Sequence, residues 1–231
     1  TMKTIGLIGG MSWQSTVPYY RLINEIVSQK LGGLHSAKLI LWNMDFEAIA
    51  SLQRQDRWQE AGAVMADAAL RLQQAGAESI VICTNTMHKL VPDMQPHLQI
   101  PILHIADATA KVIRQAGLRK VGLLGTRFTM EDSFYVTHLR EHYGLEVITP
   151  DAAARQLVHN VIFNELCVGE EKATSRAQYR EIMAALVQQG AEGIIFGCTE
   201  IAMLVDQTDA AVPVFDTTTL HASYAAEWAL A

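Results

Sequence analysis

Two short stretches carry residue types that can move a proton. Residues 83–88 read CTNTMH and residues 197–200 read GCTE. Cys198 offers a thiol, the side chain whose anion is a competent base close to neutral pH. Thr84 offers a hydroxyl, and Asn85, Thr86 and Thr199 offer hydrogen-bonding groups beside it. Glu200, two residues after Cys198, is placed to influence or relay the thiol proton. The two stretches are also related. LQQAGAESIVICTNT (72–86) lies over LVQQGAEGIIFGCTE (186–200) without a gap, so that Gly76 falls on Gly190, Ala77 on Ala191, Glu78 on Glu192 and Thr84 on Cys198. One half of a duplicated chain thus presents a thiol where the other presents a hydroxyl.

Each stretch ends a short apolar run, and the runs recur along the chain at 3–8, 38–42, 79–83 and 101–104, then at 120–124, 145–149, 193–197 and 212–215. They are continuously apolar rather than alternating, as strands covered on both faces require. Helical patterns lie between them. Residues 61–75 carry Val64, Met65, Ala68, Ala69 and Leu72 on one face, and 174–189 carry Tyr179, Ile182, Met183, Leu186 and Val187, each segment closed by a glycine. The repeat extends to IGLIGGMSW (5–13) against VGLLGTRFT (121–129) and to PILHIADAT (101–109) against PVFDTTTLH (213–221), in the same order and at nearly constant offset. The reading is α/β: two pseudo-symmetric domains, 1–116 and 117–231, each a roughly four-stranded parallel sheet flanked by helices. The last helix, about 216–230, is free to pack on either. Ligands of such sheets sit at the carboxyl ends of the strands. Here those ends hold Gly9 to Ser12, Cys83 to Thr86, His104, Gly125 to Arg127, Gly197 to Glu200 and Asp216. The expectation is one cleft with Thr84 and Cys198 facing across a bound molecule.

Composition narrows the function. Half of the residues are apolar, 18% are charged and the net charge is −6 with no Lys/Arg cluster, which argues against nucleic acid and anionic membranes. No apolar run is long enough to span a bilayer, and KTIGLIGGMSW turns polar too soon for a signal peptide. The three cysteines form no CxxC pair and no HExxH occurs, so neither a zinc site nor a disulfide framework is expected, and a cytoplasmic protein with reduced thiols is the default. The run GLIGGMS lacks GxGxxG spacing and has no acidic partner at the expected distance. A tight turn whose backbone N–H groups hold a carboxylate is the better reading, with Met11 at the substrate. Cys198 sits at a strand-to-helix junction, where the helix dipole favours a thiolate. Cys83 alternates away from Thr84 and reads as structural. His88 and Lys89 read as supporting or exposed, His104 as a structural histidine, and Trp13, Tyr19, Tyr20 and Trp58 as core or interface.

GLIGGMSW…STVPYYRLIN, CTNTMHK, FNELCVGE and FGCTE together resemble the cofactor-independent aspartate/glutamate racemases, over nearly the whole chain. The resemblance implies two pseudo-symmetric α/β domains, a small-molecule amino-acid substrate, no cofactor, no metal and a homodimer. It also implies two cysteines acting as acid and base on opposite faces of the α-carbon. The second maps onto Cys198, assigned to the L-face. The first maps onto Thr84, since Asn85 and Thr86 complete the motif. The family pattern and the internal repeat therefore agree that a cysteine is replaced here by threonine. A second departure is Cys167, which stands in NELCVG where family members carry a basic residue, with Gln53 and Arg54 as the candidates for the family's loop arginine. A neutral polar amino acid becomes plausible beside aspartate or glutamate. The alternatives are a single-cysteine malonate-type decarboxylase of the same superfamily and a non-catalytic amino-acid-binding protein.

Overall fold

The apolar run IGLIG forms strand β1 (Ile5–Gly9), every residue of it buried. Helix α1 (Trp13–Leu31) follows, then β2 (Leu39–Asn43), α2 (Phe46–Arg54), α3 (Trp58–Gln74), β3 (Ser79–Ile82) and the single-turn α4 (Val91–Met94). Next come α5 (Ile105–Gln115), β4 (Lys120–Gly125), α6 (Arg127–Glu131), α7 (Ser133–Tyr143), β5 (Glu146–Ile148), α8 (Ala152–Asn164) and α9 (Ala173–Gln188). The chain finishes with β6 (Ile194–Gly197), the single-turn α10 (Ile201–Leu204), β7 (Val214–Asp216) and α11 (Thr217–Leu230). This computed structural model describes every residue from Thr1 to Ala231. No helix in it is long and apolar enough to cross a membrane.

Two compact units are distinguished: Thr1–Ile105 together with His221–Ala231, and Ala106–Leu220. The dividing positions thus fall at Ile105 and Leu220 rather than near Gly117. Side-chain chemistry accounts for both. Asp107 of α5 accepts hydrogen bonds from His138 Nε2 and Tyr143 Oη of α7, each at 2.7 Å, which ties α5 to the second unit. His221 of α11 holds Tyr19 Oη at 2.7 Å and the Leu103 carbonyl at 2.6 Å, and Ala222, Ala225, Ala226 and Ala229 pack with Ile5, Leu7 and Val81. The C-terminal helix from His221 onward is therefore part of the first unit.

The first unit is built on a parallel sheet of order β2-β1-β3. Side chains alternate along β3. Ile80 and Ile82 pack with Met65, Ala69 and Leu72 of α3, whereas Val81 and Cys83 pack with Tyr19, Ile23 and Val27 of α1. The fourth strand expected at 101–104 is reduced to one parallel bridge, Ile80 to Ile102. Pro101 has no N–H to donate. Only its carbonyl, accepting from Ile80, and the Leu103 N–H, donating to the Ile80 carbonyl, join the sheet before α5 begins. Val64, placed on the buried face of α3 by its spacing, is 40% exposed.

The second unit has the parallel order β5-β4-β6-β7. Ile194, Phe196 and Cys198 share one side of β6 and its continuation, packed with Val158, Val161 and Ile162 of α8 and Tyr179, Met183 and Leu186 of α9. The duplicated Gly-Ala-Glu does the same work in each unit. Gly76 and Gly190 take φ of 106° and 101° to end α3 and α9, a conformation glycine adopts at no steric cost. Ala77 and Ala191 are buried beneath the turn. Glu78 accepts from the Thr4 N–H at 2.7 Å. Glu192 accepts from the Arg119 and Lys120 N–H groups at 3.0 and 2.9 Å, fixing the start of β4. These amides hold the Glu192 carboxyl below its ordinary range.

Candidate active site

In the first unit, β1 and β3 are neighbours in register, Ile8 beside Ile82, so the turns that follow them lie at the same end of the sheet. Gly10 makes the first turn possible. It takes φ of 88°, and a Cβ there would meet the Met44 carbonyl oxygen at 2.3 Å. Its N–H donates to Thr16 Oγ1 at 2.8 Å. That amide, expected to face a substrate carboxylate, is thus committed within the protein, where α1 needs it to fix its entry. Met11 follows, buried among Ile49 and Met87.

The turn after β3 is held by a histidine. His88 Nδ1 is 2.8 Å from the Thr84 carbonyl and 3.2 Å from that of Asn85, and its Nε2 is 3.2 Å from the Ile105 N–H. Carbonyls only accept and an amide N–H only donates, so the proton resides on Nδ1. Burial first, and then the neighbouring His104 and His221, push the His88 pKa well down, and the ring stays neutral. It is 1% exposed. Sequence reasoning underestimated it, and the signal available was its i+4 spacing from Thr84. Its ring centroid lies 4.6 Å from that of His104 and 5.5 Å from that of His221. His221 escaped sequence reading altogether, because the repeat sets it opposite Thr109.

Thr84 itself is half-buried, and Asn85 and Thr86 are buried. Gln53 is buried on α2, its amide 3.8 Å from the Met87 sulfur. Arg54 points outward to Glu47, at 2.7 Å, with most of its side chain in solvent. Of the two candidates in that loop, the neutral amide is therefore the one directed at the strand-end residues. Met11, Gln53, Asn85 and Thr86 are thus gathered around Met87 and the β3 turn, with Thr84 at its start. Cys83 is 1% exposed in the apolar layer under α1, and burial pushes its thiol up. Trp13 and Tyr20 are exposed, while Tyr19 is fully buried. Lys89 lies 4.2 Å over the Trp58 ring.

In the second unit, Cys198, Thr199 and Glu200 form one buried cluster after β6. A Cβ on Gly197 would meet the Leu124 carbonyl at 2.8 Å, so glycine lets the ends of β4 and β6 close up just before the cysteine. Cys198 Sγ donates to Glu200 Oε2 at 3.0 Å, and Thr199 Oγ1 donates to the same oxygen at 2.9 Å. The exposures of Cys198, Thr199 and Glu200 are 7, 8 and 3%. Burial, then the Glu200 charge and Cys167, raise the Cys198 thiol well above its ordinary value. The helix dipole expected to favour a thiolate is not supplied here. Helix α10 is a single turn of four residues, too short to carry an appreciable dipole, and the nearest charge is a carboxylate. Cys167, on the 3₁₀ turn Leu166–Val168, is pushed up to about 12 by burial and then by Glu200. Asp216 is occupied at the start of α11, accepting from the Thr218 N–H at 3.1 Å and from Thr219 Oγ1 at 3.0 Å. No group of three or more His, Cys, Asp or Glu side chains converges to hold a metal ion.

Each unit by itself thus ends its sheet in groups that can move a proton or donate hydrogen bonds: hydroxyl and amide groups after β3 in the first, and a buried thiol beside a carboxyl group after β6 in the second. The family model described as Asp/Glu/hydantoin racemase matches residues 8–225. A broad specificity amino-acid racemase from Bacillus subtilis is 28% identical over 92% of this chain and 92% of its own length. The crystal structure of a candidate Asp/Glu racemase from Yersinia pestis is 56% identical, with a TM-score of 0.94 over 100% of both chains. That of an aspartate racemase homologue from Pyrococcus horikoshii is 35% identical, with a TM-score of 0.85, again over 100% of both chains. By sequence match and by fold, this chain belongs to the Asp/Glu/hydantoin racemase family and is an isomerase of the racemase kind.

Proposed function

We propose that the protein inverts, or exchanges hydrogen at, the α-carbon of aspartate, glutamate or a related polar amino acid, without a cofactor. Cys198 is the base on the L-face and Thr84 the acid on the opposite face. Met11, Gln53, Asn85, Thr86, Thr199 and Glu200 bind or orient the substrate, and the protein works as a cytoplasmic homodimer. The observation that carries this reading is the buried Cys198 thiol at the end of β6, hydrogen-bonded to Glu200 at 3.0 Å.

Removing an α-hydrogen leaves charge on the substrate carboxylate, which preorganised donors must stabilise. The hydroxyls and amide of Thr84, Asn85, Thr86 and Thr199 are suited to that work. A threonine hydroxyl delivers or relays a proton but is a poor base at neutral pH, so exchange is biased towards the L-enantiomer. Enantiomers have equal free energy, so net racemisation has the same kcat/KM in both directions. An enzyme that handles only L-substrate exchanges hydrogen with retention. Two neutral residues bear on the substrate's side chain: Gln53 is buried and Cys167 is held protonated. Their neutrality favours an uncharged polar side chain alongside the dicarboxylic ones, in keeping with the broad specificity named for the Bacillus relative.

The test is deuterium incorporation from D₂O into a panel of L- and D-amino acids. The reading requires exchange of at least one polar L-amino acid, faster than its D-form. Absence of exchange across the panel would refute it.

A further inference from the structure

Three buried histidines of the first unit, His88, His104 and His221, gather beside the turn after β3 and take no part in the chemistry described so far. His221 Nε2 lies 2.6 Å from the Leu103 carbonyl and its Nδ1 lies 2.7 Å from Tyr19 Oη. The carbonyl only accepts, so Nε2 carries the proton and Nδ1 accepts from the tyrosine hydroxyl. His88 has the other tautomer. Its Nε2 accepts from the Ile105 N–H at 3.2 Å, and its Nδ1 donates to the Thr84 carbonyl at 2.8 Å. The two rings thus grip the backbone on either side of His104, one by the carbonyl before it and one by the amide after it. That amide belongs to the first residue of α5, where a helix has no acceptor of its own to offer.

Resting on the reading of Thr84 as the acid on the face opposite Cys198, we propose that His88 is a positioning residue for Thr84, tying its backbone to the start of α5 so that the hydroxyl is presented from a fixed point. Only Cα and Cβ stand between the Thr84 carbonyl group and its hydroxyl, and a β-branched side chain is stiff at χ1. A carbonyl held in place therefore sets where the hydroxyl lies. Proton transfer tolerates little misplacement, and an error of about 1 Å costs on the order of 100-fold. The grip needs one protonated and one bare nitrogen, a state that burial and the neighbouring His104 and His221 preserve. Both nitrogens of His88 are engaged within the protein, so it acts through the backbone of the turn and exchanges no proton with the substrate.

The experiment reads the ratio of D- to L-exchange, as kcat/KM in D₂O at pH 7, in a Thr84→Cys background, where the side chain at this position acts as a base on D-substrate. A displacement of Asn85 and Thr86 weakens binding of both enantiomers and cancels in the ratio, as does partial unfolding. A shift of the side chain at position 84 falls on D-exchange alone. His88→Gln carries its amide to the place of Nε2, which keeps the bond to Ile105 and releases Thr84. The ratio should fall about tenfold. His88→Asn keeps a donor at the place of Nδ1 for the Thr84 carbonyl and releases Ile105. Here the ratio should fall about threefold. Each variant decides by itself, so the failure of one to fold leaves the test standing. An unchanged ratio, with D- and L-exchange falling together, makes His88 a packing residue only and overturns the proposal. If Thr84→Cys itself does not raise D-exchange, the reading of Thr84 falls and this inference falls with it.

Discussion

Cys198 Sγ and Glu200 Oε2 lie 3.0 Å apart, with Thr199 Oγ1 on the same oxygen at 2.9 Å. The turn after β6 therefore sets the buried thiol against the Glu200 side chain, rather than against the N-terminus of a long helix. Cys198→Ser keeps the shape of that turn but replaces the thiol with a hydroxyl of no useful basicity at neutral pH. L-exchange should fall roughly 10³-fold, read by deuterium incorporation.

The matching position in the first unit carries Thr84. Thr84→Cys supplies a second thiol and should raise D-substrate exchange at least about tenfold while changing L-exchange far less. Thr84→Ala removes the hydroxyl and should slow both. The check is the ratio of D- to L-exchange for each variant. Equal rates for wild type and Thr84→Ala would remove Thr84 from the reaction.

Cys83 lies in the apolar layer with Tyr19, Ile23 and Val81. Cys83→Ser buries a hydroxyl there and should cost about 1–3 kcal/mol, read by urea denaturation, with L-exchange per folded molecule unchanged. Loss of exchange in this variant would make Cys83, not Thr84, the chemically active neighbour.

His88 is held neutral by burial and by its neighbours His104 and His221. In acid the unfolded chain binds a proton that the folded chain refuses. Its contribution to stability is complete above the unfolded value of about 6.5 and is lost as pH falls below it. His159, also lowered by burial and then by Arg127, acts in the same direction. Urea midpoints should drop between pH 7 and 5, and His88→Gln should be less stable at pH 7 but lose less over that interval.

Asp209 has a fully buried side chain that receives Arg176 and Arg180 and the Asp206 N–H. Burial alone would raise its pKa, but these partners outweigh burial and hold it at about 2. Its stabilisation is present above the unfolded value of about 3.9 and is lost as pH falls through about 2. Asp209→Asn leaves two guanidinium groups without their partner. It should cost about 3 kcal/mol at pH 7, the low end for a broken buried pair because both arginines keep solvent contact. Denaturation of this variant at pH 7 and pH 3 checks the size and the sign.

The sequence by itself determined the α/β class, the parallel sheets and the duplication, because continuous apolar runs between amphipathic helices admit few other arrangements. The Gly-Ala-Glu repeat was legible for the same reason: a left-handed glycine, a buried small residue and a carboxylate at a strand start are local requirements. The opposed directions of Cys83 and the next position followed from the two-residue period of a strand. Tertiary structure decided what depends on partners distant in sequence. Pro101 and Ile102 read as a strand, but only one bridge formed, because pairing needs donors along both edges. His88 read as supporting or exposed, and only the carbonyls of its own turn and the Ile105 amide decide for the supporting role. The state of Cys198 was the least legible feature. A thiol's protonation is set by the charges and solvent around it: the influence of Glu200 was legible from its spacing, but burial and the approach of Cys167 came from the packing of α8 and α9, which position after a strand does not reveal.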